Sequence, residues 1–233
     1  LINDNCHALG SRLNKSNEYA IKYADIVTQS FHPVKHFTTG EGGAVLTSNK
    51  KFRDRINLLR NHGIERNAQT EKKMGSWYYN IRNIGYNFRL SDINCALGIS
   101  QIKKLNKFVS KRRNIANHYN KIFKNYENFV IPKVKKNIYH SYHLYPLLID
   151  FKKFGIQKKY FFKQMYKKNI NLQVHYIPLY KQPALKKYGF DKKDFNNAEN
   201  FYNQEVSLPI YYSLTKTEID YTVKTIKSVL NIR

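Results

Sequence analysis

Ser30-Phe31-His32-Pro33-Val34-Lys35, followed after residues 36–38 by Thr39-Gly40-Glu41-Gly42-Gly43, is the stretch on which the reading of the chain turns. Ile26-Val27-Thr28-Gln29-Ser30-Phe31 is a short β-type run, and Ala44-Val45-Leu46-Thr47 is a second. Between them stand a lysine and a glycine-rich turn over Thr38 to Gly43, whose glycines permit positive φ and close backbone approach. The string lacks the Gly-Lys-Ser/Thr ending of a nucleotide-binding P-loop. By itself, a plain hairpin turn accounts for it equally well.

Working outward, residues 1–10 read as the end of a strand with a turn at Gly10. Phe52, Ile56 and Leu59 recur at helical spacing and predict a helix from Phe52 to Arg60. Residues 61–84, polar and irregular around Trp77-Tyr78-Tyr79, read as a long loop. Ser91 is an N-cap with Asp92 in the first turn. The helix it starts carries Ile93, Ala96, Leu97, Ile102, Leu105 and Phe108 on one broad apolar face, and either breaks near Asn106 or runs past Arg112. The composition shifts after Pro132. Tyr142 to Ile149 reads as a strand, with Pro146 pointing to an edge or a bulge. A helix over 157–168, a strand from Leu172 to Tyr176, a helix over 196–206 and a last helix from Thr217 to Ile232 follow. Strands alternating with helices in both halves predict an α/β chain. The expected division is 1–105 and 106–233.

Three further groups carry candidate chemistry. Lys35, just past a strand, is placed like an imine-forming amine, and the hydroxyl of Ser30 stands five residues before it. Pyridoxal phosphate needs such an amine, both to hold it and to move a proton. A single lysine is more often a solvated charge. Asp4, with His7, sits at a strand end, where a buried carboxylate could keep a pyridine nitrogen protonated; an isolated Asp more often begins a turn. Gly85-Tyr86-Asn87-Phe88-Arg89-Leu90-Ser91-Asp92 precedes a helix start, where backbone N–H groups and the Asn87 amide favour anions. A plain helix entry with an aromatic staple explains the same string.

The 233 residues are 42% hydrophobic and 24% charged, an ordinary globular balance. No stretch approaches the roughly 20 apolar residues of a membrane helix, so no membrane partner is expected. Cys6 and Cys95 have no motif spacing, which favours a reducing, cytoplasmic setting over a disulfide framework. No metal site is expected. A formal charge of +25 raises the question of nucleic acid, but lysines are scattered along the chain, as at Lys103-Lys104, Lys135-Lys136 and Lys158-Lys159, without an arginine stripe or a binding motif. A nucleic-acid partner is therefore not expected, although the charge favours polyanionic ligands in general, nucleotide-linked ones included.

Taken in order, these blocks resemble the DegT/DnrJ/EryC1/StrS aminotransferases, fold type I pyridoxal-phosphate enzymes acting on nucleotide-linked keto-sugars. The resemblance runs through Asp4-Asn5-Cys6-His7-Ala8-Leu9-Gly10, the Ser30 to Lys35 block and Thr39 to Ala44. It continues through Arg60-Asn61-His62-Gly63, Gly85 to Asp92, Ala96-Leu97-Gly98 and Gln101-Ile102 to Val174-His175-Tyr176-Ile177-Pro178 and Ser207-Leu208-Pro209. It covers essentially the whole chain. It implies that Lys35 is the catalytic, cofactor-carrying lysine, that Asp4 pairs with the pyridine nitrogen, that His7 packs near the ring and that Ser30 binds the phosphate. It also implies that Asn87 reaches the partner's cofactor in a homodimer, and that His175 and Tyr176 lie near the sugar nucleotide.

Within the family the blocks are most similar to the branch that aminates a UDP-linked 4-keto-6-deoxy amino sugar from L-glutamate, in pseudaminic acid synthesis and flagellin glycosylation. Perosamine- or viosamine-type amination is the alternative. A dehydratase variant, with His in place of the lysine, is set aside because the block aligns on Lys35 and not on His36. A non-catalytic scaffold is disfavoured by the presence of both Asp4 and Lys35. In the family the Asp-x-x-His block lies well inside the chain. The sequence is therefore expected to be a C-terminal part: a remnant of the large cofactor domain over 1–105, and the small α/β domain over 106–233. Taken alone, it is expected to be poorly soluble, to hold cofactor weakly, or to be an inactive fragment.

Overall fold

The computed structural model describes residues 1–232. The chain forms two compact units: Leu1–Asn106 with Asn137–Tyr139, and Lys107–Lys136 with the chain from His140 onward.

The first unit opens with β1 (Ile2–Asp4), β2 (Arg12–Leu13), α1 (Tyr19–Tyr23), β3 (Ile26–Ser30) and β4 (Gly43–Leu46). β1 and β3 are parallel, in the register Asp4↔Thr28, with α1 as the crossover between them. β4 returns antiparallel, Ser30 facing Gly43. The strand order is β1-β3-β4. Ala20 and Ala24 pack on Val27 to form the small buried cluster of this unit, with Tyr19 and Ile21 against it.

α2 (Lys50–Leu59) starts where the side chain of Asn49 accepts from the backbone N–H groups of Lys51 and Phe52. The loop expected over 61–84 instead contains β5 (Ile64–Glu65), α3 (Ala68–Met74) and β6 (Asn80–Ile81). Asn67 caps α3 by accepting from Gln69 and Thr70, and Gly75 ends it at φ 112. The segment Ala-Gln-Thr-Glu-Lys-Lys-Met has helix-favouring residues but no apolar stripe, so its periodicity was silent while its caps were legible.

α4 (Asp92–Ile102) is capped by Ser91 as expected. The chain turns at Lys103-Lys104 and begins α5 (Leu105–Phe123), so the broad apolar face splits between two helices. Its α4 part faces solvent in this chain: Ile93 is 85% exposed and Ile102 50%.

The second unit takes α5 from Lys107 onward, then β7 (Phe129–Val130). β8 (Ile138–Tyr139) returns to the first unit and pairs antiparallel with β2. Next come β9 (Pro146–Ile149), α6 (Lys158–Lys167), 3-10 turns within 179–195, α7 (Asn196–Gln204), β10 (Glu205–Ser207) and α8 (Lys216–Val229). The sheet order is β10-β9-β7, all antiparallel. β9 is thus central and not an edge. Pro146 is tolerated because it is the first residue of the strand, which begins there and not at Tyr142, a residue with a positive φ of 48.

The expected strand from Leu172 to Tyr176 reduces to a single bridge between Gln173 and Ser207. The expected helix over 196–206 ends at Gln204, and β10 follows without a break. Tyr119 and Phe123 of α5, Leu147 and Ile149 of β9, Phe161 and Met165 of α6, and Ile226 of α8 meet in one core with essentially no exposure. Arg112 is buried beside that core. Its Nη1 donates to the carbonyls of His143 at 3.0 Å and Ile210 at 2.7 Å, and burial pushes the guanidinium down to about 10. α8 begins with a capping box between Thr215 and Glu218. Both units combine strands with helices, as the α/β reading expects.

Candidate active site

Parallel strands present ligand sites beyond their carboxyl ends. In the first unit Asp4 ends β1 and Ser30 ends β3. Asp4 stands opposite Thr28, and the Asn5 N–H donates to the Thr28 carbonyl at 3.0 Å. The Cys6 N–H donates to Asp4 Oδ1 at 3.1 Å. Hydrogen bonding from the Cys6 thiol and backbone holds the Asp4 carboxyl below its usual value, and the charges of His7 and Lys35 act in the same direction. Burial pushes the Cys6 thiol up, and Asp4 adds to that. Asp4 is exposed in this chain, where a buried carboxylate was expected. The reason is its position: β1 is the edge of its sheet.

The chain after Ser30 folds into a tight turn. The Ser30 hydroxyl accepts from the His32 N–H at 3.4 Å, and the Lys35 N–H donates to the His32 carbonyl at 2.9 Å. His36 and Phe37 point into the unit, and Lys35 between Val34 and His36 is half-buried. The glycine strip then closes the loop. The Phe31 N–H donates to the Gly42 carbonyl at 2.9 Å and the Thr39 N–H to the Phe31 carbonyl at 3.0 Å. Gly42 has φ +149, and a Cβ there would lie 2.5 Å from Thr39 Oγ1. Glycine is therefore required for the turn and not incidental to it.

The start of α4 is tied to this loop. The Asn94 amide donates to the Thr39 carbonyl, and a Cβ at Gly98 would lie 2.8 Å from the Thr39 methyl group. Asp4 and Ser30 thus lie at the carboxyl ends of the parallel strands β1 and β3, the charges of His7 and Lys35 reach Asp4, and Lys35 sits on the braced turn. Asn87 is anchored elsewhere in the unit. It forms a bridge with Asn61, the Phe88 N–H donates to the Arg60 carbonyl at 2.9 Å, and the Asn87 side chain is exposed.

His175 and Tyr176 belong to the second unit. The His175 backbone N–H donates to Glu205 Oε2 at 3.0 Å, and its ring Nδ1 lies 2.7 Å from Ser207 Oγ. Tyr176 is 62% exposed, with its ring edge-on to the imidazole at 4.7 Å. In the sequence reading Glu205 stood only inside the expected helix over 196–206 and Ser207 only in the Ser207-Leu208-Pro209 block, and neither was read as a partner of His175. The signal that could have found them is the Val-Ser-Leu-Pro run after Glu205, a strand-like alternation at the end of a helical segment.

The sequence profile of the DegT/DnrJ/EryC1/StrS aminotransferase family matches residues 1–227. The chain belongs to this family. It is 42% identical over 230 residues to a Campylobacter jejuni UDP-4-amino-4,6-dideoxy-N-acetyl-beta-L-altrosamine transaminase, covering 99% of this chain and 58% of that one. Among solved structures it superposes on Helicobacter pylori PseC, an aminotransferase of pseudoaminic acid biosynthesis, with a TM-score of 0.87 and 32% identity; the match covers 99% of this chain and 59% of PseC. It also superposes on the sugar aminotransferase Spr1654 of Streptococcus pneumoniae in its PMP form, with a TM-score of 0.88, 28% identity and coverage of 99% and 58%. The chain thus spans well under two thirds of the length of these relatives. Among the described residues no helix is long and apolar enough to cross a membrane.

Proposed function

We propose that this chain is part of a pyridoxal-phosphate transaminase that moves the amino group of L-glutamate onto a UDP-linked 4-keto-6-deoxy amino sugar, in pseudaminic acid synthesis and flagellin glycosylation. The observation that carries the reading is the Asp4, Ser30 and Lys35 group at the carboxyl ends of the parallel strands β1 and β3. A half-buried amine, a carboxylate kept ionised and a hydroxyl are the donor set that the cofactor's aldehyde, pyridine nitrogen and phosphate require, so the residues fit it. When bound, the cofactor supplies an electron sink through which an amino group can leave one carbon and reach another.

Lys35 is the covalent attachment point, and its amine moves the proton between substrate carbon and cofactor. The Asp4 carboxylate, depressed by Cys6, stays negative and holds a proton at the ring nitrogen. Ser30 donates its hydroxyl to the phosphate, and His7 packs near the ring. His175 and Tyr176 take the sugar nucleotide. Residues 1–105 serve as the C-terminal part of the cofactor domain and 106–233 as the small domain. The working form is a cytoplasmic homodimer in which the exposed Asn87 serves the partner's cofactor, so that C2 symmetry yields two equivalent sites.

Half-reactions in the complete protein, followed by cofactor absorbance, test the substrate. L-glutamate should convert the cofactor to its amino form, and a UDP-linked 4-keto-6-deoxy sugar should return it. Turnover with dTDP- or GDP-linked keto-sugars and none with UDP-linked ones would move the protein to the perosamine or viosamine branch. No half-reaction with any of them would leave a chain without this activity.

A further inference from the structure

Glu205 is fully buried, at 0% exposure, and no step of the proposed reaction uses it. The Gln173↔Ser207 bridge is antiparallel, and the Ser207 N–H donates to the Gln173 carbonyl at 2.9 Å. Two residues on from Gln173 and two back from Ser207, that register sets His175 against Glu205, with the side chains of 175, 205 and 207 on one face. The contacts follow: Ser207 Oγ to Glu205 Oε1 at 2.6 Å, Ser207 Oγ to His175 Nδ1 at 2.7 Å, and the His175 backbone N–H to Glu205 Oε2 at 3.0 Å. Lys158 is close enough for the charge of Glu205 to act on it, which offsets the cost of burying a carboxylate.

A serine hydroxyl has one proton, and Ser207 Oγ donates it to Glu205 Oε1. The proton of Ser207 is therefore committed to Glu205. The short contact to Nδ1 must then be filled by the proton of the imidazole, with Ser207 Oγ accepting. A neutral imidazole with Nδ1–H carries its lone pair on Nε2. We propose that Glu205, acting through Ser207, is a positioning residue that fixes His175 as the Nδ1–H tautomer, so that Nε2 accepts a hydrogen bond from an O–H or N–H of the sugar nucleotide. The tautomer stands on the contacts alone; its ligand-facing role rests on the proposed sugar-nucleotide site.

The test is nitrogen NMR of the histidine-labelled, ligand-free protein, above the ordinary histidine pKa of about 6.5, with His175 assigned by its loss in His175→Asn. The expected spectrum has a protonated Nδ1 and a lone-pair Nε2; the reverse assignment overturns the proposal whether or not any Ser207 variant folds. In Ser207→Ala the preference should pass to Nε2–H, and in Ser207→Thr, which keeps the hydroxyl, it should be retained. A folded Ser207→Ala protein that keeps Nδ1–H would show that the relay does not set the tautomer. Titration with UDP-N-acetylglucosamine as probe should move the Nε2 signal. No movement across the titration would remove the ligand-facing role and leave the tautomer result intact. Neither outcome bears on whether Lys35 holds the cofactor.

Discussion

The two units divide labour unequally between packing and chemistry. The second unit buries Tyr119, Phe123, Tyr145, Leu147, Phe161 and Ile226 in one continuous core. The first gathers Ala20, Ala24 and Val27 into a small cluster, with Phe37 buried apart from it. Meanwhile it leaves Ile84 96% exposed, Ile93 85% and Leu1 76%. Yet the first unit carries the Asp4–Ser30–Lys35 group. What stabilises a small domain is apolar area removed from water, and the first unit removes little. Its order at the site comes from local devices: a glycine turn that excludes a Cβ, and an asparagine that caps the turn from α4. A site can thus be well formed on a scaffold with little core of its own, whereas a polar relay such as Glu205–Ser207–His175 needs the dense packing of the second unit to stay dry.

The largest expected effect separates the units. Produced alone, the chain from Lys107 onward should unfold cooperatively, while residues 1–106 should not. Circular dichroism melts of the two pieces check this, and a sharp transition from 1–106 would break the contrast. Next, Phe161→Ala should cost the second unit about 3–5 kcal/mol in urea titration. A cost near that of a surface substitution would mean the core is looser than the packing implies.

A smaller effect comes from Lys158, which burial pushes down to about 8 from the ordinary 10.5. Its folded value lies below its unfolded one, so between about pH 8 and 10.5 the unfolded chain binds more protons and stability rises with pH. Below that window the lysine is charged in both states and its penalty is fully present. Lys158→Met should therefore lose part of the rise in urea midpoint across the window; equal slopes in the two proteins would show that the amine is solvated. At the low end, Ile93→Ser should change stability by no more than about 0.5 kcal/mol, because Ile93 covers nothing in this chain. A clear destabilisation would mean that its face is already occupied.

Much of this was legible in the sequence because it is written in local chemistry. The strand pair around Ser30 and Gly43, the Ser91 cap and the last helix follow from turn residues, caps and apolar spacing. Three features were not legible, each for a different reason. Ala68–Met74 is a helix without an apolar stripe, held by Asn67 and Gly75, so periodicity could not register it. The apolar face of α4 was read from its spacing, but periodicity reports amphipathicity and not what covers it. Glu205 was read as a helix end, and the strand expected over 172–176 survives only as the Gln173 bridge. The relay depends on a pairing between residues 30 positions apart, and no local pattern encodes that. Lys35 and Asp4 were singled out as candidates by family pattern, and the structure places Asp4 at the end of β1 and Lys35 on the turn after β3.

The most direct measurement is borohydride reduction of the cofactor-loaded protein followed by peptide mapping. The account predicts a pyridoxyl group on Lys35, in the peptide containing His32-Pro33-Val34, and none in Lys35→Ala, which should also show no detectable transamination. A label on any other lysine, or an unchanged label in Lys35→Ala, would contradict it.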